Sequence, residues 1–259
     1  MIKEEMRIRS NLPIAQHIFE MKLEGNIPEE VNQPGQFLHM KTTNQVTPLL
    51  RRPISICSND KDKGQLTVIY RSGGQGTKCI SEKKIGDTID VLGPLGNGFN
   101  IENVNRTDTV VLAGGGIGVP PLYGLGLELK KKGIHVVSVL GFSTASATFY
   151  HDKFAELGEV FYCTMDGTEG HKGTVTDVMR RENISFDQLF ACGPVPMLKS
   201  LEDTFPDAKG ALSLEERMGC GIGACFACVC HVQDDPTGKD YRKVCSNGPV
   251  FPWREVALR

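Results

Sequence analysis

Residues Ser213–His231 read S-L-E-E-R-M-G-C-G-I-G-A-C-F-A-C-V-C-H. Cys220, Cys225 and Cys228 stand at the spacing C-x4-C-x2-C, and Cys245 follows after sixteen intervening residues. Three close thiolates with a distant fourth are the plant-type arrangement that holds a [2Fe–2S] cluster. Gly219, Gly221, Gly223, Ala224 and Ala227 are small, so the backbone can curl tightly and aim N–H groups at the sulfurs. Such hydrogen bonds also help set a cluster's potential. The competing readings are a zinc ion and four buried thiols without metal. Zinc sites usually present two C-x2-C-type pairs, and only Cys225 and Cys228 form one. The spacing favours iron–sulfur. Cys230, two residues past Cys228 at strand spacing, reads as a small buried residue outside the ligand set.

The 259 residues around this stretch are too many for one ordinary core and predict two or three domains. Formal net charge is −2 with no long basic or acidic block, which points away from nucleic acid and from anionic membrane surfaces. Met1–Ser10 is charged and lacks the apolar core of a signal peptide. The uncharged run Thr109–Leu127 has the length of a membrane span, but its six glycines and two adjacent prolines read as a buried strand, a glycine turn and a helix. Nine cysteines without an export signal fit a reducing compartment, where thiols stay free to bind metal. The expectation is a cytoplasmic protein with no membrane segment.

Residues 1–102 hold short alternating or apolar runs at Ala15–Leu23, Gln36–Lys41, Pro53–Ser58, Gln65–Arg71 and Thr88–Leu92, punctuated by turn residues. Only Thr77–Lys83 looks helical. Several strands and one short helix predict a small antiparallel barrel. Arg51-Arg52-Pro53-Ile54-Ser55 places guanidinium groups just before a strand, and the planar fork of arginine suits a pyrophosphate. Ile69-Tyr70-Arg71-Ser72-Gly73-Gly74-Gln75-Gly76-Thr77 runs from a strand through glycines into a helix start, where backbone N–H groups bind phosphate. Each also fits a bland reading, as a solvated edge or an ordinary turn.

From Glu102–Asp108 the character changes, and apolar strand-like runs alternate with helical ones as far as Thr204. That alternation implies a parallel sheet covered on both faces. Ala113-Gly114-Gly115-Gly116-Ile117-Gly118-Val119-Pro120-Pro121 joins its first strand to its first helix. Glycines there let a pyrophosphate approach the backbone, although Pro121 stands where a third fingerprint glycine would be. Cys192-Gly193-Pro194 ends a later strand. Ligands bind beyond the carboxyl ends of strands in an open parallel sheet, so both glycine loops lie on one edge. Cys192 also fits an inert buried thiol. No arginine or lysine follows Gly141-Phe142-Ser143-Thr144 before Lys153, which favours NAD over NADP. None of the six histidines, His39 among them, falls in an evident cluster.

Arg52–Ser55 resembles the R-x-x-S strand of the ferredoxin–NADP reductase superfamily, and Gly74–Thr77 resembles its phosphate turn. Ile54 departs from the tyrosine that many members place against the flavin, and Tyr70 offers a replacement aromatic. C-G-P at Cys192–Pro194 is similar to the superfamily's nicotinamide site. The compact tail, E-E-R-M-x-C-G-x-G-x-C-x-x-C followed by K-V-C-x-x-G-P-V-F, resembles the electron-transfer subunits of B-type dihydroorotate dehydrogenases, and the likeness runs through the whole chain.

The resemblance implies a multidomain protein: an FAD-binding antiparallel β-barrel (1–102), an NAD-binding α/β parallel-sheet domain (103–210) and a small C-terminal [2Fe–2S] domain (211–259). It further implies that Arg52, Pro53, Ile54, Ser55, Ile69, Tyr70, Arg71, Gly76 and Thr77 hold FAD. Gly114, Gly115, Gly116, Ile117, Gly118, Gly193 and Pro194 would hold NAD, with Cys192 catalytic beside the nicotinamide, and Cys220, Cys225, Cys228 and Cys245 would ligate iron. The implied partner is an FMN-containing catalytic subunit that oxidises dihydroorotate, in a heterotetramer with two copies of each. A related subunit of a hydrogenase, sulfide dehydrogenase or glutamate-synthase-like complex is the alternative.

Overall fold

Charged and apolar residues alternate along the first strand, and that alternation closes the first body of the chain. In the computed structural model, which describes residues 1–43 and 45–258, β1 (Ile2–Ala15) buries Met6 and Ile8 while Glu5 and Arg7 stay exposed. This is the period-2 pattern of a half-buried strand. There follow β2 (Ile18–Glu24), the short helix α1 (Ile27–Glu30), β3 (Phe37–Met40), β4 (Arg52–Asp60), β5 (Gln65–Arg71), the helix α2 (Gln75–Ser81) and β6 (Thr88–Leu95). The six strands form a closed antiparallel barrel in the order β1-β2-β5-β4-β3-β6, sealed where Met6 of β1 faces Ile89 of β6. The barrel agrees with the sequence reading, but its first strand does not. The stretch read as a charged lead-in is β1, and the strand expected from Ala15 begins at Ile18, after a turn in which His17 takes a left-handed φ of 60°. Charges on the solvent face masked the inward Met6 and Ile8.

The second body is a seven-stranded sheet. Its elements are β7 (Thr109–Gly115), a 3₁₀ turn at Gly116–Gly118, α3 (Val119–Lys131), β8 (His135–Phe142), α4 (His151–Ala155), β9 (Glu159–Thr164), β10 (His171–Lys172), α5 (Val175–Arg181), β11 (Gln188–Cys192), α6 (Val195–Thr204), β12 (Gly210–Ser213), the hairpin strands β13 (Val229–His231) and β14 (Tyr241–Lys243), and β15 (Val250–Pro252). The sheet order is β10-β9-β8-β7-β11-β12-β15, parallel except for β15 against β12. Successive residues of β7 enter opposite cores. Val110 and Leu112 pack with α3 and with Cys57 and Ile69 of the barrel, whereas Val111 and Ala113 pack with α5, α6 and the tail. A sheet buried on both faces needs this continuous apolar run. Thr109–Leu127 resolves into β7, the glycine turn and the start of α3, and no helix among the described residues is long and apolar enough to cross a membrane.

The tail is woven into this sheet. The boundary read at 210/211 cuts through β12, and the chain leaves the sheet after Ser213, builds the cysteine loop and the β13–β14 hairpin, and returns as β15. Strands of three and four residues carry too little pattern to be recognised in sequence. Leu214, Met218, Cys228, Val244 and Cys245 share a core with Phe37 and Leu95 of the barrel, so the cysteine segment is packed on both neighbouring bodies.

Candidate functional site

A cavity of about 770 Å³ opens between barrel and tail, and Arg52, Ser55, Ile69, Arg71, Ile117 and Glu215 are among the residues that line it. That volume lies within the range of cofactor pockets. Two motifs far apart in sequence meet at its rim. A Cβ added to Gly76 would lie 2.6 Å from Nε of Arg52, so the guanidinium rests directly on the first turn of α2 and only glycine leaves it room. The Arg52 Nη1 group donates to the carbonyls of Leu50 (2.7 Å) and Arg51 (3.2 Å), which fixes the fork at the start of β4. Thr77 Oγ1 accepts from the N–H groups of Gly73 and Gly74 at 3.3 and 3.2 Å, and so closes the turn. Pro53 also lines the cavity, and Ile54 does so while packing partly on the barrel core.

Two neighbours behave differently from the sequence expectation. Arg51 turns inward, donating to the His39 carbonyl and pairing with Asp90 at 2.8 Å, and is thereby structural. Tyr70 contributes to the cavity wall, but its ring is buried in the barrel, stacked on Phe19 with its hydroxyl donating to Asn11 Oδ1 at 2.7 Å. The ring of the replacement aromatic is therefore held in the barrel, while the residue still borders the cleft. Leu66, Val68 and Tyr70 alternate inward along β5, which leaves Ile69 and Arg71 on the outer face.

At the carboxyl edge of the sheet, β7 and β11 pair with Gly114 opposite Cys192, and the two glycine loops interlock through their backbones. A Cβ on Gly118 would lie 2.4 Å from the Cys192 carbonyl carbon, one on Gly193 would fall 3.1 Å from Gly115, and one on Gly115 would strike Met197 and Pro194. Gly114 presses on Leu140 and Val119 in the same way. Gly116 has a left-handed φ of 52° and open space where a side chain would stand, a conformation glycine adopts without steric cost. Ile117, between these glycines, reaches the first cavity, so the two candidate sites adjoin.

Cys192 is 1% exposed. Burial, and then the charge of Glu215, push its thiol well above the ordinary range, against the lowering effect of the Ser213 hydroxyl. Glu215 lines the cleft with its side chain exposed to the opening, and the protein around it raises its carboxyl. Sequence reasoning missed both Glu215 and Ser213, because their nearness to Cys192 follows only from the pairing of β11 with β12. Asp166, beyond the end of β9, was also missed. Hydroxyls of Thr168 and then Thr144 hold its carboxyl down at about 2.

The four cysteines come together in one loop system. The N–H groups of Ile222 and Cys225 donate to Cys220 Sγ at 3.5 and 3.3 Å, and that of Gly223 donates to Cys245 Sγ at 3.2 Å. Burial alone would raise the Cys220 thiol, but the N–H groups of Ile222, Cys225 and Ala224 with the Cys225 thiol bring it down to about 6. Thiolates are the metal-binding form. Four thiol groups in one loop system, two of them collecting backbone N–H groups, are the donor set that a [2Fe–2S] centre would need. Cys230 stands apart on β13, its Sγ–H directed at the Arg242 carbonyl at 3.7 Å, and burial raises it to about 11. Lys243 donates to the Gly223 carbonyl at 2.6 Å and lies 4.3 Å from the centroid of the Phe226 ring, a cation–π contact that straps the loop.

A family model described as the iron-sulfur cluster binding domain of dihydroorotate dehydrogenase B matches residues 215–257. One described as the oxidoreductase FAD-binding domain matches residues 5–99. The chain is 54% identical over 258 residues to the "Dihydroorotate dehydrogenase B (NAD(+)), electron transfer subunit" of Bacillus mycoides (strain KBAB4), covering 100% of both chains. It is 53% identical, with the same coverage, to the protein so described in Bacillus cereus (strain G9842). Among solved structures, an NADH-dependent reduced ferredoxin-NADP oxidoreductase superposes with a TM-score of 0.86 over 98% of this chain and 90% of that one, at 29% identity. Amycolatopsis cytochrome P450 reductase GcoB, at 19% identity and a TM-score of 0.68 over 79% of this chain, shares the fold. A barrel of the FAD-binding kind, a parallel-sheet nucleotide domain and an iron–sulfur-binding tail thus follow one another, and the chain belongs to the family of electron transfer subunits of NAD-dependent dihydroorotate dehydrogenase B.

Proposed function

We propose that this chain passes electrons from an FMN-holding partner that oxidises dihydroorotate, through a [2Fe–2S] cluster and FAD, to NAD+, in an assembly of two copies of each subunit. The carrying observation is continuity. Leu214–Met218 line the 770 Å³ cavity and run directly into Cys220, so the flavin cleft and the cysteine loop share one segment of backbone.

A bound flavin exchanges electrons in pairs with a nicotinamide and singly with a cluster; the chain's residues hold and orient. Arg52 and Arg71 line one end of the cleft with the first turn of α2 beneath Arg52 and offer forked donors to a pyrophosphate. Ser55 and Ile69 form the barrel wall. Gly114, Gly115, Gly118 and Gly193 let the two loops pack closely at the sheet edge, and Gly116 leaves open space there, where a dinucleotide binds. Cys192, a thiol under its burial, stands at the end of β11 opposite Gly114 and would border the nicotinamide. The ionised Asp166 at that edge favours ribose hydroxyls over a 2′-phosphate, in support of NAD. Cys220, Cys225, Cys228 and Cys245 supply the thiolates. Ile222 and Phe226 on the cysteine loop are exposed, Phe226 by 60%. Leu49 and Leu50, near the flavin cleft, are exposed as well, and apolar surface of this kind supports a protein partner over the cluster.

Copurification with the natural partner tests this. The complex should reduce NAD+ when given dihydroorotate, form orotate in equal amount and leave NADP+ nearly unused. A complex that transfers electrons to NAD+ from another donor but yields no orotate would assign the chain to a different catalytic partner.

A further inference from the structure

His39, at the middle of β3, is 1% exposed, and neither ring nitrogen has a hydrogen-bond partner. A buried polar group without a partner costs on the order of 1–3 kcal/mol, so its retention calls for a reason. The backbones of Cys220 and Arg51 lie beside the ring, though neither meets full hydrogen-bond geometry with it. The imidazole also presses on the cysteine loop itself. A Cβ added to Gly221 would lie 2.6 Å from Nδ1 of His39 and 3.2 Å from its Cε1. His39 pairs with Pro53 across β3–β4, and its own carbonyl accepts from Arg51. The ring therefore projects from the strand next to the one that carries Arg52 and Ser55 and meets the loop that carries Cys220. Nothing else in the nucleotide or flavin sites uses it.

We propose that His39 is a positioning residue for the iron–sulfur centre: a barrel-borne wedge on which the Cys220–Gly221 backbone rests, fixing how the cysteine loop seats against the flavin strand. The wedge explains why residue 221 is glycine beyond its φ of 73°, since the imidazole occupies the place of a side chain. It also gives the barrel a direct part in holding a cluster whose ligands all lie in the tail. The inference rests on reading the four cysteines as the cluster site.

The test uses the complete chain with FAD and cluster in place. Residues just outside a metal's ligands typically change affinity by about 10- to 100-fold when altered. His39→Ala should accordingly lose iron to a ferrous chelator about tenfold faster or more and shift the electron paramagnetic resonance line shape and midpoint potential of the reduced centre, while keeping its FAD. His39→Gln, which keeps bulk and a donor, should recover most of the wild-type behaviour. Gly221→Ala should also speed iron loss, and the double variant should lose iron more slowly than the product of the single effects, because the new methyl enters the space His39 vacates. Contacting pairs show such coupling and independent ones do not. Wild-type retention, potential and line shape in His39→Ala would overturn the proposal, as would single effects that simply multiply. A wild-type protein that binds no iron–sulfur centre would overturn the cysteine reading instead.

Discussion

Cys225→Ser should strip the iron–sulfur centre, and Cys230→Ser should leave it intact. The two thiols are five residues apart in sequence; the spacing places Cys225 in the ligand set and Cys230 outside it, and their surroundings differ accordingly. Cys225 donates its backbone N–H to Cys220 Sγ, which also collects that of Ile222. Cys230 lies on the hairpin strand and directs its Sγ–H at a carbonyl, with burial holding it protonated to about 11. A thiolate site that loses one of its four sulfurs loses the cluster, because the remaining iron coordination is open to water and the binding energy is shared among all ligands. Iron and sulfide analysis of the purified variants should give near zero for Cys225→Ser and the wild-type content for Cys230→Ser. Equal losses in both would refute the ligand assignment.

Arg52→Ala should weaken FAD retention while NADH affinity changes little. The guanidinium is held by the carbonyls of Leu50 and Arg51 and by its contact with Gly76, so it is oriented before any ligand arrives. Hydrogen bonds to charged groups contribute about 1.5–3 kcal/mol each, which corresponds to roughly 10- to 150-fold in Kd. Fluorescence titration of flavin-stripped protein would measure the loss for FAD. The glycine loops proposed for the other nucleotide lie on the sheet edge, and Arg52 is not among the nearest neighbours of their glycines. A larger loss for NADH than for FAD would move Arg52 to the nicotinamide site.

Much of this architecture was legible in sequence where a local pattern has one physical meaning. The C-x4-C-x2-C spacing, the glycine run after an apolar strand and the strand–helix alternation each specify geometry by themselves. What escaped depends on partners distant in the chain. β1 hid because its Lys, Glu and Arg residues masked a two-residue period, and β12 and β15 because each is too short to show one. The orientation of Tyr70 was not legible either: alternation along β5 sends its ring inward with Leu66 and Val68, while the residue still borders the cleft. Glu215 meets Cys192, and His39 meets Gly221, only through sheet order and the packing of the tail on the barrel. No window of sequence contains either pair.

Leu214–Met218 join the proposed flavin cleft to the cysteine loop, so a nicotinamide should reach the cluster only by way of the flavin. The most direct measurement is electron paramagnetic resonance of anaerobic protein, analysed beforehand for FAD, iron and sulfide, after NADH and then after dithionite. The reduced cluster signal should follow NADH in the complete protein, and in flavin-stripped protein it should follow dithionite alone. A cluster signal raised by NADH without flavin, or none from NADH in protein carrying both groups, would contradict the account.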